Sequence, residues 1–211
     1  LHFPTRRQRQ MCIRDRLLLL PADQQSLVNS PLQKQIRQRI RYQEGENLGT
    51  GFFIISPHNI SLASSRDENI GSVNLIYKHY PELLNRVKQG ESVFVPPMRS
   101  DVMIGDQVPE RTEAQTPPTM FFAVPIKNNR NRVIAILTKR VDFDGAFSFI
   151  LSAGFIGKSG ETYALDKSGT LLSNVRFEND LKSIGLLEKG QKASLNLRVA
   201  APPENLLNNC L

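Results

Sequence analysis

The feature that most constrains this chain is a strand–turn–strand pattern that occurs twice, 110 residues apart. Phe52-Phe53-Ile54-Ile55, then Ser56-Pro57-His58-Asn59, then Ile60-Ser61-Leu62-Ala63-Ser64 is matched by Glu161-Thr162-Tyr163-Ala164-Leu165, Asp166-Lys167-Ser168-Gly169 and Thr170-Leu171-Leu172-Ser173. Phe53 falls on Tyr163, Ile55 on Leu165, Ser56 on Asp166, Asn59 on Gly169 and Leu62 on Leu172. Aromatic and β-branched residues bounded by turn formers read as strands. Two such hairpins in one chain point to two copies of one architecture.

The intervening segments read as follows. Residues 24–46 predict a helix, with Ser30 as cap, Pro31 at its first position and an apolar stripe of Leu32, Ile36 and Ile40. Its basic residues Lys34, Arg37, Arg39 and Arg41 lie mostly off that stripe and read as a solvated face. Residues 72–88 predict a helix broken at Pro81, and 92–95 a short strand stopped by Pro96-Pro97. Residues 99–118 read as a long polar loop of the kind that lines a binding site. Residues 120–126 and 133–141 predict two strands around an Asn-rich turn, and 143–152 a short amphipathic helix carrying Phe143, Phe147, Ile150 and Leu151. After the second hairpin come a predicted helix at 177–188 and a last strand at 194–199, too few strands for a closed sheet.

Charge first suggests an anionic partner: the 211 residues carry a net +7. Arg6-Arg7-Gln8-Arg9-Gln10-Met11-Cys12-Ile13-Arg14-Asp15, however, is what a transposase-type sequencing adapter encodes in one frame. Residues 1–16 are therefore read as an adapter-derived artefact. They hold five of the 27 basic and one of the 20 acidic residues, so the remainder carries a net +3. No nucleic-acid partner is expected once they are set aside, and the chain reads as a fragment of a longer protein.

The chemistry-bearing motifs are sparse. Two Cys and no Trp exclude a disulfide framework or a Cys-rich zinc site. Ser152-Ala153-Gly154-Phe155-Ile156-Gly157-Lys158-Ser159 nearly matches a phosphate-binding loop, but its first Gly is missing and a strand, not a helix, follows. His58 and His79 have no carboxylate or Cys at ligand spacing, and no G-x-S-x-G elbow is present. Asp142 and Asp144 read as caps of the helix that begins near Gly145. No enzyme activity, cofactor or metal is expected.

The segment from Gly157 to Ser173, with Gly160-Glu161-Thr162-Tyr163 and Asp166-Lys167-Ser168-Gly169-Thr170-Leu171-Leu172-Ser173, resembles the opening of the membrane-proximal module of double Cache sensor domains, the extracytoplasmic part of bacterial transmembrane receptors. Phe53–Ser56, Ala63–Ser65, Ile70-Gly71, Ala123–Ile126 and Val141-Asp142 resemble parts of the membrane-distal module. The resemblance covers about residues 24–203. It implies an α+β fold: a long N-terminal helix (17–46) beside two PAS-like modules with antiparallel sheets, one at 47–152 and an incomplete one at 153–211. It also implies a periplasmic sensor, attached to the membrane by spans outside this sequence and able to pair through its N-terminal helix, with a kinase, cyclase or chemotaxis output elsewhere.

The resemblance places a small ligand in the distal module. Arg99, Ser100 and Asp101 open the long loop, Phe122 follows it, and Arg140 and Asp142 close the last strand. The family's amino-acid binders carry an acidic residue near the place of Arg140 and a Trp on the loop. This chain has neither, so its Arg suits a carboxylate or phosphate instead. A rim charge paired with Asp142 is the other reading of Arg140. The competing functional readings are a cytosolic PAS-like interaction domain and an accessory domain of an enzyme.

Overall fold

In the computed structural model, residues 23–44, 51–100, 118–154, 157 and 160–199 are described. The adapter-like residues 1–16, Asp101 and most of the long loop lie outside them. The helix expected from residue 24 is two helices. In α1 (Gln24–Val28) the carboxylate of Asp23 accepts the amide of Ser26 at 2.9 Å, which holds its pKa below the usual value. Pro31 then disfavours helical geometry at Ser30, so the chain breaks and restarts as α2 (Pro31–Glu44), about 21 Å long at 1.5 Å per residue. The Ser30 hydroxyl accepts the Leu32 amide at 3.3 Å, as a cap should. Leu32 and Ile36, with Leu27 of α1, bury themselves against Phe52, Leu62, Ala63 and Ile70.

Those partners belong to a five-stranded sheet in the order β2-β1-β5-β4-β3. Its strands are β1 (Phe52–Ile55), β2 (Ser61–Ser64), β3 (Val93–Arg99), β4 (Pro118–Lys127) and β5 (Val133–Val141). β1 runs antiparallel to both β2 and β5, and β4 antiparallel to β5. This is the mixed helix and antiparallel-sheet architecture expected of a PAS-like module. Between β2 and β3 lie α3 (Leu75–His79) and α4 (Pro81–Lys88), separated at Tyr80 because Pro81 opens the second. Helix α4 lies against β5, while α1 and α2 lie against β2. From α2, the Gln33 amide donates to the Leu62 carbonyl at 2.7 Å, and Arg37 donates to the Ser64 carbonyl at 2.8 Å and pairs with Asp67 at 2.6 Å.

Pro96 and Pro97 do not stop β3, contrary to expectation; the strand runs through both to Arg99. It is an edge strand, and an edge tolerates missing N–H donors that a central strand cannot spare. A second correction concerns residues 143–152. A wide π turn (Phe143–Phe147) precedes α5 (Ser148–Ser152), and Phe149 and Ile150 are exposed, so no single amphipathic face forms. Asp142 makes no side-chain capping bond, and Asp144 accepts from Asn174 at 3.0 Å instead of capping.

Two compact units divide the described residues: one up to Val95 together with Met120–Val141, the other made of 96–100, 118–119 and the residues from Asp142 on. The boundary expected at 152/153 falls inside the second unit. The second unit packs Leu171, Leu187 and Ala193 with Val175, Leu181 and Leu197. Its strands, expected at 161–165, 170–173 and 194–199, reduce to the single bridges Leu165↔Leu171 and Thr170↔Arg198. In the first unit β1 is held on both sides by β2 and β5; among the described residues 162–165 has the hairpin side only, and an isolated pair of strands is marginal. The helix expected at 177–188 is shortened to α6 (Glu178–Ser183), ended by Gly185 at φ +78°.

The repeated hairpin turn is the same object in both units. Ser56 N–H donates to the Ile60 carbonyl at 2.8 Å, and Asp166 N–H to the Thr170 carbonyl at 3.0 Å. Asn59 N–H donates to Ser56, and Gly169 N–H to Asp166, at 3.0 and 3.1 Å, with Asn59 and Gly169 both at positive φ. The side-chain oxygen of Ser56 accepts from the amides of His58 and Ile60; that of Asp166 accepts from those of Ser168 and Thr170. A third segment then docks alike on each turn, Asn74 N–H on the Asn59 carbonyl and Val199 N–H on the Gly169 carbonyl, both at 2.8 Å.

Candidate functional site

Register decides which side chains of β4 and β5 share a face, because directly opposed residues point the same way. Phe122 is opposite Lys139, which is opposite Phe52; Phe121 is opposite Arg140. Phe122 therefore stands on the Phe52 face, the one that α2 packs on, and Arg140 on the other. The two expected ligand residues do not line one pocket. Phe122 is half exposed and its ring lies 5.4 Å from that of Phe94.

The Arg140 face carries Phe53, Ile55, Phe121, Ala123, Ile136 and Thr138, all buried. Phe53 and Phe121 stack with centroids 5.5 Å apart. Thr138 accepts the Phe53 amide on Oγ1 at 3.1 Å, which satisfies both groups away from water. Arg140 itself is half-buried, and its backbone amide donates to the Gly51 carbonyl at 2.7 Å. Sequence reasoning missed Phe121 and Thr138 here. The signal was the strict alternation of β5, which pairs Arg140 with Phe121 once the hairpin turn is fixed.

The remaining expected residues belong to the second unit. Arg99 ends β3 and donates from Nη2 to the Leu195 carbonyl and to Asn196 Oδ1, each at 2.7 Å. Its guanidinium is a clamp on the 193–197 turn. Ser100 is half-buried. The Asp142 carboxylate is exposed and lies over Gly145, where a Cβ would collide with it. Nearby in the same unit, Asp144, Asn174 and Ser194 form a chain of hydrogen bonds. In the Gly-Glu-Thr-Tyr motif, Glu161 accepts the Tyr163 hydroxyl at 2.9 Å and the Arg176 amide. The Glu161 hydrogen bond pushes the Tyr163 phenol above its ordinary value. That constellation joins two segments of the chain and has the chemistry of a structural tie.

His58 and His79 are both exposed. Among the described residues, no group of three or more His, Cys, Asp or Glu could hold a metal, and no helix is long and apolar enough to cross a membrane.

No protein-family model and no curated protein matches the chain. Among solved structures it is similar to the ligand-binding domain of the Pseudomonas fluorescens chemoreceptor CtaA in complex with L-serine, at 14% identity and a TM-score of 0.41 over 83% of this chain and 71% of that one. It is similar to the ligand-binding domain of the Pseudomonas aeruginosa amino-acid chemoreceptor PctC in complex with GABA, at 8% and 0.43 over 85% and 72%. A sensory box sensor histidine kinase from Vibrio cholerae matches at 13% and 0.27, over 52% of this chain and 94% of that one.

Proposed function

We propose that this chain is the ligand-binding part of a membrane receptor of the double Cache kind, placed outside the cytoplasm, and that its first unit binds a small organic anion at Arg140. The observation that carries the reading is the place of Arg140, a half-buried residue on the sheet face that α2 leaves to other elements. A planar guanidinium fork binds a carboxylate or phosphate and repels an ammonium group. The Gly-Glu-Thr-Tyr segment, the helix laid over one sheet face and the repeated turn support the sensor reading. Of the expected set, Arg140 stands on this face of the first unit; Phe122 is on the far face, Arg99, Ser100 and Asp142 belong to the second unit, and Asp101 lies outside the described residues.

Such a ligand acts by binding one arrangement of the loop and helices more tightly than another, and the shift passes along α2, through which two copies pair. Output and membrane attachment belong to the rest of the receptor. The test is calorimetric titration of the 211-residue chain with a panel of dicarboxylates, sugar phosphates and free amino acids. A saturable anion that Arg140→Gln no longer binds is the expected result. Tight binding of an amino acid that survives Arg140→Gln would sink the proposal.

A further inference from the structure

One end of the first unit gathers positive charge. The β1–β2 turn at 56–60 and the β4–β5 turn at 128–132 lie at the same end, since Ile55 is opposite Ile136 and Phe52 opposite Lys139. The end of α4 joins them: a Cβ on Gly90 would sit 3.3 Å from Lys127 Nζ. Lys127, Arg130 and Arg132 are exposed on the hairpin, and neither it nor the 56–60 turn holds an acid. Glu91, beside them, is taken by Arg86 at 2.7 Å. Arg130 and Arg132 make no ion pair among the described residues.

The hairpin that presents these cations is closed by hydrogen bonds of its own. Asn128 Oδ1 accepts the amides of both Arg130 and Arg132, at 2.9 and 3.0 Å. Asn128 N–H donates to the Arg132 carbonyl, and Asn131, at φ +58°, donates to the Asn128 carbonyl. Between the cations stand only Asn side chains. No aromatic residue lies at 127–132 to stack on a base or to enter a lipid interface. Exposed amides and guanidinium groups side by side match hydroxyls and carboxylates or phosphates on one hydrophilic chain.

We propose that this hairpin end docks an anionic polysaccharide. The test is affinity of the full chain for labelled polygalacturonate across a salt series, with single-stranded DNA and anionic lipid vesicles as parallel probes. The N-terminal arginines contribute equally to every variant, so the readout is a difference. R130A/R132A should lower affinity about tenfold at low salt, and the slope of log affinity against log salt by about 1.4, taking ~0.7 per lost contact from the flexible-polyanion case. R39A/R41A, which removes two charges from α2, should leave both unchanged. R130Q/R132Q serves if the alanine variant fails to fold. Equal losses in the two pairs, no polygalacturonate binding by the parent, or a loss confined to DNA or vesicles each overturns the proposal.

Discussion

Leu195 holds in the second unit the place that Gly71 holds in the first. Each has a left-handed backbone, at φ +62° and +78°. Each amide donates to the second residue of the second hairpin segment, Leu195 to the Leu171 carbonyl at 2.7 Å and Gly71 to the Ser61 carbonyl at 2.8 Å. The next bond is shared too, Leu171 N–H to Leu197 and Ser61 N–H to Ser72. Glycine takes this conformation without steric cost and leucine does not.

Leu195→Gly should therefore stabilise the second unit, by up to about 1 kcal/mol after the glycine's larger unfolded-state entropy is offset. Urea unfolding followed by a probe in that unit measures it. A loss of more than 1 kcal/mol would show that the leucine side chain, not its backbone, governs the turn.

Arg99→Ala should destabilise the same unit by about 1–3 kcal/mol, because it removes two charge-assisted bonds from a partly buried clamp. Arg99→Lys should recover only part of this, since an ammonium lacks the planar fork. Equal stability of Arg99→Ala and the parent in urea would remove the clamp from the account.

Much of this was legible in the sequence where local chemistry decides. Ser30-Pro31 and Pro81 mark helix starts by rules that act within a few residues, and the 110-residue hairpin match survives as matching hydrogen bonds. A longer match escaped notice: Arg66, Glu68 and Asn69 recur as Arg176, Glu178 and Asn179 at the same offset. What was not legible depends on neighbours distant in sequence. Pro96-Pro97 reads as a stop unless β3 is known to be an edge. Adjacent Phe121 and Phe122 are equivalent until the register with β5 assigns them to opposite faces.

Thr138→Val keeps shape but removes the side-chain acceptor of the buried Phe53 amide. Phe53 and Thr138 are opposed in the β1–β5 ladder, so the amide keeps a backbone acceptor and the expected cost is about 0.5–1.5 kcal/mol, that of one net hydrogen bond. Faster hydrogen exchange at the Phe53 amide should accompany it; unchanged protection there would mean that another acceptor takes over.

Asp166 titrates below its ordinary value of 3.8, chiefly because the Ser168 hydroxyl donates to it, with the Thr170 and Ser168 amides adding to the effect. A folded pKa below the unfolded one stabilises the fold fully above the unfolded value. That contribution is lost as pH falls through the folded one. Unfolding midpoints measured from neutral pH downward should fall less steeply for Asp166→Asn than for the parent. Parallel profiles would rule this carboxylate out as a source of the acid sensitivity.

Both margins of the five-stranded sheet are stoppered. Successive amides along a strand point to alternate sides, so one of Pro96 and Pro97 must remove a donor from the outer side of β3. At the opposite margin, Gln33 and Arg37 already occupy the Leu62 and Ser64 carbonyls of β2. Neither rim offers a full ladder to an incoming chain. The sheet is therefore insulated from the edge-to-edge stacking that seeds fibrils, and any molecule that addresses it must come to its faces or its ends.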